Sequence, residues 1–433
     1  MLMVKALRER PIARLWLGQA LSSIGDEIYR VGLTWMLVGI IGANTGYLNA
    51  GQAAALMILS FVGGRWADHW EPLVTMVRVD FIRAGIVLIP VIYSHFATVP
   101  LPLYVIVALS LSGLGAFFDP SLQAALPRFS RDLNILRAAT GLMTTTTRLA
   151  RLVGPAIVGV MATVVDPIHF FTVDALSFLI SALSVRALFR MPAPHTHAVK
   201  RKPVRQPLRE VIVSGFRAIR QHPGMNYIVL SKAVTGGTWS LIYGLGLALL
   251  VQKVAPHDAR AFGSVMAAYG LGNFAGALYF GNRERPRPGL MMFIGYVWMG
   301  LGFMLVACAP TIGWMIPLVA ISGFAGTMNE VTFSDLVQAR FDYYEIPRIF
   351  RLRMACDTLS ILICTLGAPL LLQFVSVRVL IALGGLVWVN AGFIGIFWHN
   401  KSLELPLRPH PGIRSADVRP PDPARPPPPE ATA

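Results

Sequence analysis

Apolar runs of roughly 20 residues, the length of a helix across the hydrocarbon core of a bilayer, recur along the whole sequence. A chain built this way has few options. Lipid offers no partner to a backbone N–H or C=O, so each run must form a helix or join a closed barrel. Barrel strands alternate apolar and polar residues over short segments, and these runs do not alternate. Composition agrees: 55% of residues are hydrophobic, 14% are charged, and the mean hydropathy is +0.58. A soluble domain carries about 25% charged residues. The expected fold class is an all-α polytopic membrane protein with about twelve transmembrane helices, their ends set to within a few residues. The predicted spans, numbered 1 to 12, are 13–40, 46–64, 73–95, 101–122, 137–164, 168–189, 225–251, 261–281, 289–309, 312–336, 350–374 and 376–398.

The net charge of +16 lies mostly between spans. Connections such as 94–101, 164–169 and 307–314 carry no Lys or Arg. The alternate ones carry Arg128, Arg131 and Arg137, then Arg283, Arg285 and Arg287, then Arg340, Arg348, Arg351 and Arg353. This alternation orients a membrane protein and places both termini in the cytoplasm. Lys253, Arg260 and Arg378 are the outer-side exceptions. Nucleic acid is not expected as a partner, because no recognition motif accompanies the charge. Cys308, Cys356 and Cys364 lie in apolar runs without metal-ligand spacing, so no metal site is expected. Lys5, Arg8, Arg10 and Arg14 precede a long apolar run without a cleavage site, so the start reads as a first span and not a signal peptide. No nucleotide-binding glycine loop or nucleophile–base pair is present. Neither enzyme activity nor a cofactor is expected.

Four segments follow. Residues 1–189 form an N-terminal six-helix half, and 223–400 a C-terminal six-helix half. Residues 190–222 form a basic cytoplasmic linker in which 207–221 reads as an amphipathic helix, with Leu208, Val211, Ile212, Phe216 and Ile219 on one stripe. Residues 401–433 form a Pro- and Arg-rich tail expected to be disordered. The halves look alike. Gly113–Asp119 closes span 4 as Gly323–Glu330 closes span 10. Arg137 precedes Pro155 by eighteen residues, and Arg351 precedes Pro369 by eighteen. This is an internal repeat.

Two motifs carry a family resemblance over roughly residues 10–400. Between spans 2 and 3 stands Gly64-Arg65-Trp66-Ala67-Asp68, followed by His69, Trp70 and Glu71. In span 5 stand Gly141, Ala150, Gly154, Pro155, Val158 and Gly159. The first resembles the Gly-x-x-x-Asp-Arg loop motif of the major facilitator superfamily, and the second the antiporter motif of its drug-exporting members. His69, Glu71 and Pro72 depart from the first motif, and Ala150 and Val158 replace two glycines of the second. The resemblance implies two pseudo-symmetric six-helix bundles that rock about a midplane site. It also implies a conformational latch at Gly64 and Asp68, and proton-coupled export. Gly18–Asp26 of span 1 and Phe171–Leu179 of span 6 are similar to the macrolide-efflux and enterobactin-exporter branch. That likeness implies efflux of a drug or siderophore across a bacterial inner membrane.

Ionisable residues inside spans are costly and are functional candidates by default. Asp26 lies near the middle of span 1 with Glu27 beside it and Arg30 one turn on. A carboxyl there can exchange a proton with a cavity, or Asp26 can pair with Arg30 on one helix face. Arg148 and Arg151 of span 5 can pair with Asp26 and Glu27, bind an anionic substrate, or join a static network. Asp174, Lys232 and Asp357 lie partway into spans 6, 7 and 11. Asp119, Glu330 and Asp335 lie close to inner ends, where pairing with loop arginines would gate the mouth. Trp35, Trp239, Tyr243 and Tyr269 are cavity or packing aromatics. The expected function is proton-coupled efflux of a small amphipathic compound by a monomer in the lipid bilayer. Uptake of an anionic metabolite through Arg148 and Arg151 is the alternative, and a non-transporting scaffold stands behind it.

Overall fold

The computed structural model describes residues 2–62, 70–130, 132–162, 164–189, 208–281, 287–341 and 345–399. Each predicted span is realised as a helix, with ends displaced by a few residues. Spans 1 to 6 are Arg10–Ile41, Thr45–Val62, Pro72–Ser94, Leu101–Ala125, Leu133–Met161 and His169–Leu188. Span 7 begins as Met225–Leu241, passes through a π turn at Ile242–Gly246, and continues as Leu247–Val254. Spans 8 to 11 are Ala259–Gly281, Pro288–Cys308, Ile312–Arg340 and Ile346–Leu371. Span 12 is Val377–Ile394 and ends in a second π turn, Gly395–His399. Among the described residues two further α-helices lie outside this set, Leu2–Arg8 and the linker helix Leu208–Arg220, with short 3-10 turns at Gly42–Asn44 and Leu126–Arg128. The rest of the linker, residues 190–207, and the tail from 401 lie outside the described residues.

Among the described residues eight stretches are long and apolar enough to cross a membrane, the first running through spans 1 and 2 together. Spans 3, 5 and 8 are not among them. Span 3 carries Arg78, Asp80 and Arg83, span 5 carries Arg137, Arg148 and Arg151, and span 8 is rich in glycine. In span 3 two of the charges that lower its hydropathy, Asp80 and Arg83, are buried among other helices.

Span 1 runs against spans 5 and 6, span 3 against 4 and 6, and span 2 against 4. In the second half, span 8 runs against 10, span 9 against 10 and 12, and span 7 against 11. Small residues permit these approaches. A Cβ on Gly25 would stand 2.6 Å from that of Ser177, and one on Gly385 2.6 Å from the Gly300 carbonyl.

The halves meet mainly through spans 5 and 8 and spans 2 and 11. Gly159 lies on the backbone of Gly263, where an added Cβ would come 2.9 Å from the Gly263 carbonyl carbon. Gly46 lies on Thr365 and Pro369, and Trp35 stacks on Phe262 with centroids 4.9 Å apart. All these residues belong to the bundle end remote from Arg10 and Met225. The remote end is therefore closed by contacts between the halves. At the terminal end, the linker helix packs on span 11. Gly215 rests against Leu352, Ile219 is buried, and Arg217 and Arg220 are exposed.

Candidate functional site

The charged residues within spans fall into three groups. The first lies where span 1 meets span 5. Gly154 has no side chain, and this lets span 5 close on Glu27: a Cβ there would come 2.5 Å from the Glu27 Cβ. Glu27 is buried. It accepts a hydrogen bond from Arg30 Nε at 2.9 Å and pairs with Arg151 Nε at 3.6 Å. Arg30 therefore pairs with Glu27, three residues away, and not with Asp26 as the one-face spacing had suggested. From the opposite half, the ring of Tyr243 lies under the Arg30 guanidinium at 5.9 Å, within cation–π range. Tyr243 lies in the π turn of span 7, a local widening common at functional positions. It stacks on Trp239 at 5.0 Å and meets Tyr269 at 4.6 Å, while Trp239 Nε1 donates to Tyr269 Oη at 2.7 Å. One carboxylate, two guanidiniums and an aromatic wall thus face each other across the halves.

The second group lies inside the first six spans. Asp26 is exposed mid-span, yet its charged neighbours are Arg83 of span 3 and Asp119 of span 4. It opens onto the bundle interior and not onto lipid. Behind it, Asp80 and Asp174 are fully buried and Arg83 is 8% exposed. Arg83 Nη1 stands 3.9 Å from Asp80 Oδ1, and its guanidinium lies between the rings of Phe118 and Phe178 at 5.1 and 5.3 Å. Asp80 and Arg83 were not among the sequence candidates. The signal was two opposite charges one turn apart in a span that otherwise reads as apolar.

The third group lies in the second half. Lys232 Nζ reaches Glu330 Oε2 and Asn329 Oδ1, each at 2.6 Å. Arg353 donates to both Glu330 oxygens at 2.8 and 3.1 Å, and through Nε to Asp357 Oδ2 at 3.2 Å. Two cations and two anions balance. Glu330, expected among end groups that meet loop arginines, meets Arg353, one of the arginines counted with that connection, and through this network joins spans 7, 10 and 11. Asp119 is exposed beside the second group, and Asp335 is half-buried further along span 10.

Gly64, Asp68 and the side chain of Arg148 lie outside the described residues. Glu71, beside that loop, accepts the Val74 N–H at 2.7 Å to cap span 3 and pairs with Arg128. In span 5, Ala150 is buried and Pro155 sits inside the helix. Gly154 touches Glu27, Gly159 touches the other half, and Gly141 lies two turns or more toward the terminal end. Among the described residues no group of His, Cys, Asp or Glu is placed to hold a metal ion.

Residues 4–348 match the family described as transmembrane secretion effector, of the major facilitator type. The staphyloferrin A transporter of Staphylococcus aureus is 24% identical over 279 residues, covering 63% of this chain and 66% of its own length. The multidrug efflux pump Tap of Mycolicibacterium fortuitum is 23% identical over 329 residues, 72% of this chain and 77% of the pump. The fold is shared with an auto-inhibited POT family peptide transporter at TM-score 0.65 and 11% identity, covering 96% of this chain and 99% of that one.

Proposed function

We infer the function from one premise: this chain belongs to the transmembrane secretion effector family of major facilitator transporters. It is a multi-pass membrane transporter of small molecules and not an enzyme. We propose that it exports a small amphipathic organic compound, of the drug or siderophore kind, in exchange for protons. It works by alternating access as a monomer in a bacterial inner membrane, with both termini in the cytoplasm. The two curated relatives, a siderophore transporter and a multidrug efflux pump, support the substrate class.

The observation that carries proton coupling is the contrast between the two adjacent carboxyls of span 1. Glu27 is buried and held by two arginines. Asp26 is exposed to the interior, with no hydrogen-bond donor on it in the described structure. Glu27, Arg30 and Arg151 form the ion-pair network beside the substrate path, and Tyr243 relays its position to the second half. Asp26 is the group free to gain and lose a proton. Its protonation cancels a charge facing Arg83, and that changes how the first half packs when the halves rock. The aromatic wall of Trp239, Tyr243 and Tyr269 suits an amphipathic substrate with a planar part.

A second reading rests on Arg151, whose side chain is 64% exposed and holds Glu27 only at 3.6 Å. Such a guanidinium can take a carboxylate or phosphate, which fits uptake of an anionic metabolite. Inside-out membrane vesicles with an imposed proton gradient separate the two. A panel of cationic, neutral and anionic labelled compounds is followed for wild type and Asp26→Asn. Export predicts gradient-dependent accumulation that Asp26→Asn abolishes. Equal transport by the mutant, or accumulation only of anions in right-side-out vesicles, overturns it.

A further inference from the structure

The two stretches of sequence that resemble the efflux branch, Gly18–Asp26 and Phe171–Leu179, lie against each other in the fold. Gly25 rests on Ser177 and Asp174, Gly18 rests on Ser184, and Gln19 Nε2 donates to Ser181 Oγ at 3.2 Å. Their contact forms a polar chamber behind the exposed Asp26. The charged and titratable groups that face it are Asp26, Glu27 and Tyr29 from span 1, Asp80 and Arg83 from span 3, Asp119 from span 4 and Asp174 from span 6.

Glu27 is neutralised by Arg30 and Arg151. That cluster carries one cation in excess, and among the described residues four aspartates remain facing Arg83. Asp174 is fully buried; the Ser177 hydroxyl donates to its backbone carbonyl at 2.8 Å and stands only 3.4 Å from Oδ1, and Oδ2 has no donor. Neither oxygen of Asp80 has a well-placed hydrogen-bond donor, with the Ser181 hydroxyl nearby and Arg83 Nη1 no closer than 3.9 Å, and Arg83 Nε has no acceptor. A further observation stands apart from the carboxyls. Tyr29, 6% exposed, has an unpartnered hydroxyl, and its charged neighbours are Asp174 and Asp26. Its ring is fixed against Phe171 at 5.1 Å. A buried carboxylate without a counter-charge is costly, and such groups take up a proton instead. A carboxylic acid is also a donor, which an ionised carboxylate is not.

We propose that the buried pair Asp174 and Asp80 is a proton-binding site, with Asp26 as its port to the substrate cavity. The ligand is a proton and not a metal cation, because the described carboxyls are not gathered closely enough to coordinate one. The inference rests on the proton-coupled reading and moves the stored proton from the cavity wall to the chamber behind it. A proton arriving at the Asp26 carboxylate passes to Asp174, and the reverse transfer releases it. No other bond changes.

Infrared spectroscopy of the full-length protein in liposomes tests this without a substrate. The signal is the C=O absorption of a protonated carboxyl, followed as buffer pH is stepped from acidic to alkaline. Wild type is expected to show such a band at neutral pH. Asp174→Asn is expected to lose it, and Asp119→Asn to keep it. Ser177→Ala, a milder change, is expected to shift the band by removing a hydrogen bond. Asp26→Asn is expected to keep the band but slow its response to a pH jump. A band unchanged in both Asp174→Asn and Ser177→Ala overturns the site. So does a band discharged by sodium ions at constant pH, which would mark a metal-cation site. An unslowed response in Asp26→Asn overturns the port. Failure of the export reading appears elsewhere, as absent vesicle accumulation with the infrared band intact.

Discussion

Single residues in this protein act through what they leave out as much as what they add. Gly154 is the clearest case. Its missing Cβ lets span 5 reach Glu27, and Gly154→Ala would set a methyl 2.5 Å from the Glu27 Cβ. The expected result is separation of Glu27 from Arg151, with transport sharply reduced while the protein stays monodisperse on gel filtration. Wild-type transport by Gly154→Ala would show that spans 1 and 5 yield there. Glu330 is a contrasting case, because it neutralises Lys232 and Arg353 together. Removing one partner of a buried ion pair costs about 3–5 kcal/mol, an upper bound here since Glu330 is 35% exposed. Glu330→Gln should lower the thermal unfolding midpoint measurably, and more than Asp119→Asn does. Equal midpoints would mean that Lys232 finds another acceptor.

At the scale of elements, two details show how a helix adapts to its neighbours. Arg378 is one of the basic residues that break the charge alternation. It donates through Nη1 to the carbonyls of Ala307 and Ala309, each at 2.8 Å. It thereby caps the end of span 9, where carbonyls lack intrahelical partners and the helix dipole favours a cation. Hydrogen bonds from charged groups contribute about 1.5–3 kcal/mol, so Arg378→Ala should destabilise by an amount of that order in thermal unfolding. An unchanged midpoint would show that water replaces the cap. The π turn Ile242–Gly246 is the second detail. Deleting Gly244 should return span 7 to regular α-helix and turn Tyr243 away from Arg30. Substrate transport should then fall with expression retained, whereas full activity in the deletion would show the π turn to be incidental.

The whole molecule is held closed at one end by residues almost without side chains. Gly159 and Gly263 meet backbone to backbone, and Gly46 lies on span 11. Gly263→Val should keep the halves apart at the remote end and favour the opposite conformation. Gln252, close to Gly39 of the first half, reports on this. A cysteine at position 252, in a background with the exposed Cys308 replaced by alanine, should react faster with a membrane-impermeant maleimide when Gly263→Val is present. Equal rates would show that the remote end closes by another route.

The spans, their number and their order were legible without coordinates, because hydropathy belongs to one helix at a time. The π turns were not, since no single residue in Ile242–Gly246 announces them. Asp26, Glu27, Arg30 and Arg151 stood out because charge inside an apolar run is conspicuous. Their pairing did not. Arg30 lies within one turn of both Asp26 and Glu27, and only the approach of Gly154 places Glu27 between two arginines. Glu330 read as an end group, and spans 7 and 11, distant in sequence, bring it Lys232 and Arg353. The chamber of Asp80, Arg83 and Asp174 exists only where spans 1, 3 and 6 converge. The sequence by itself determined most of the segments that cross the membrane, because transfer from water to lipid depends on each segment alone, while spans 3, 5 and 8 fall short on that measure and pack against neighbouring spans. The tertiary structure decided which charges neutralise one another, because Coulomb and hydrogen-bond energies depend on distances between helices that no local pattern encodes.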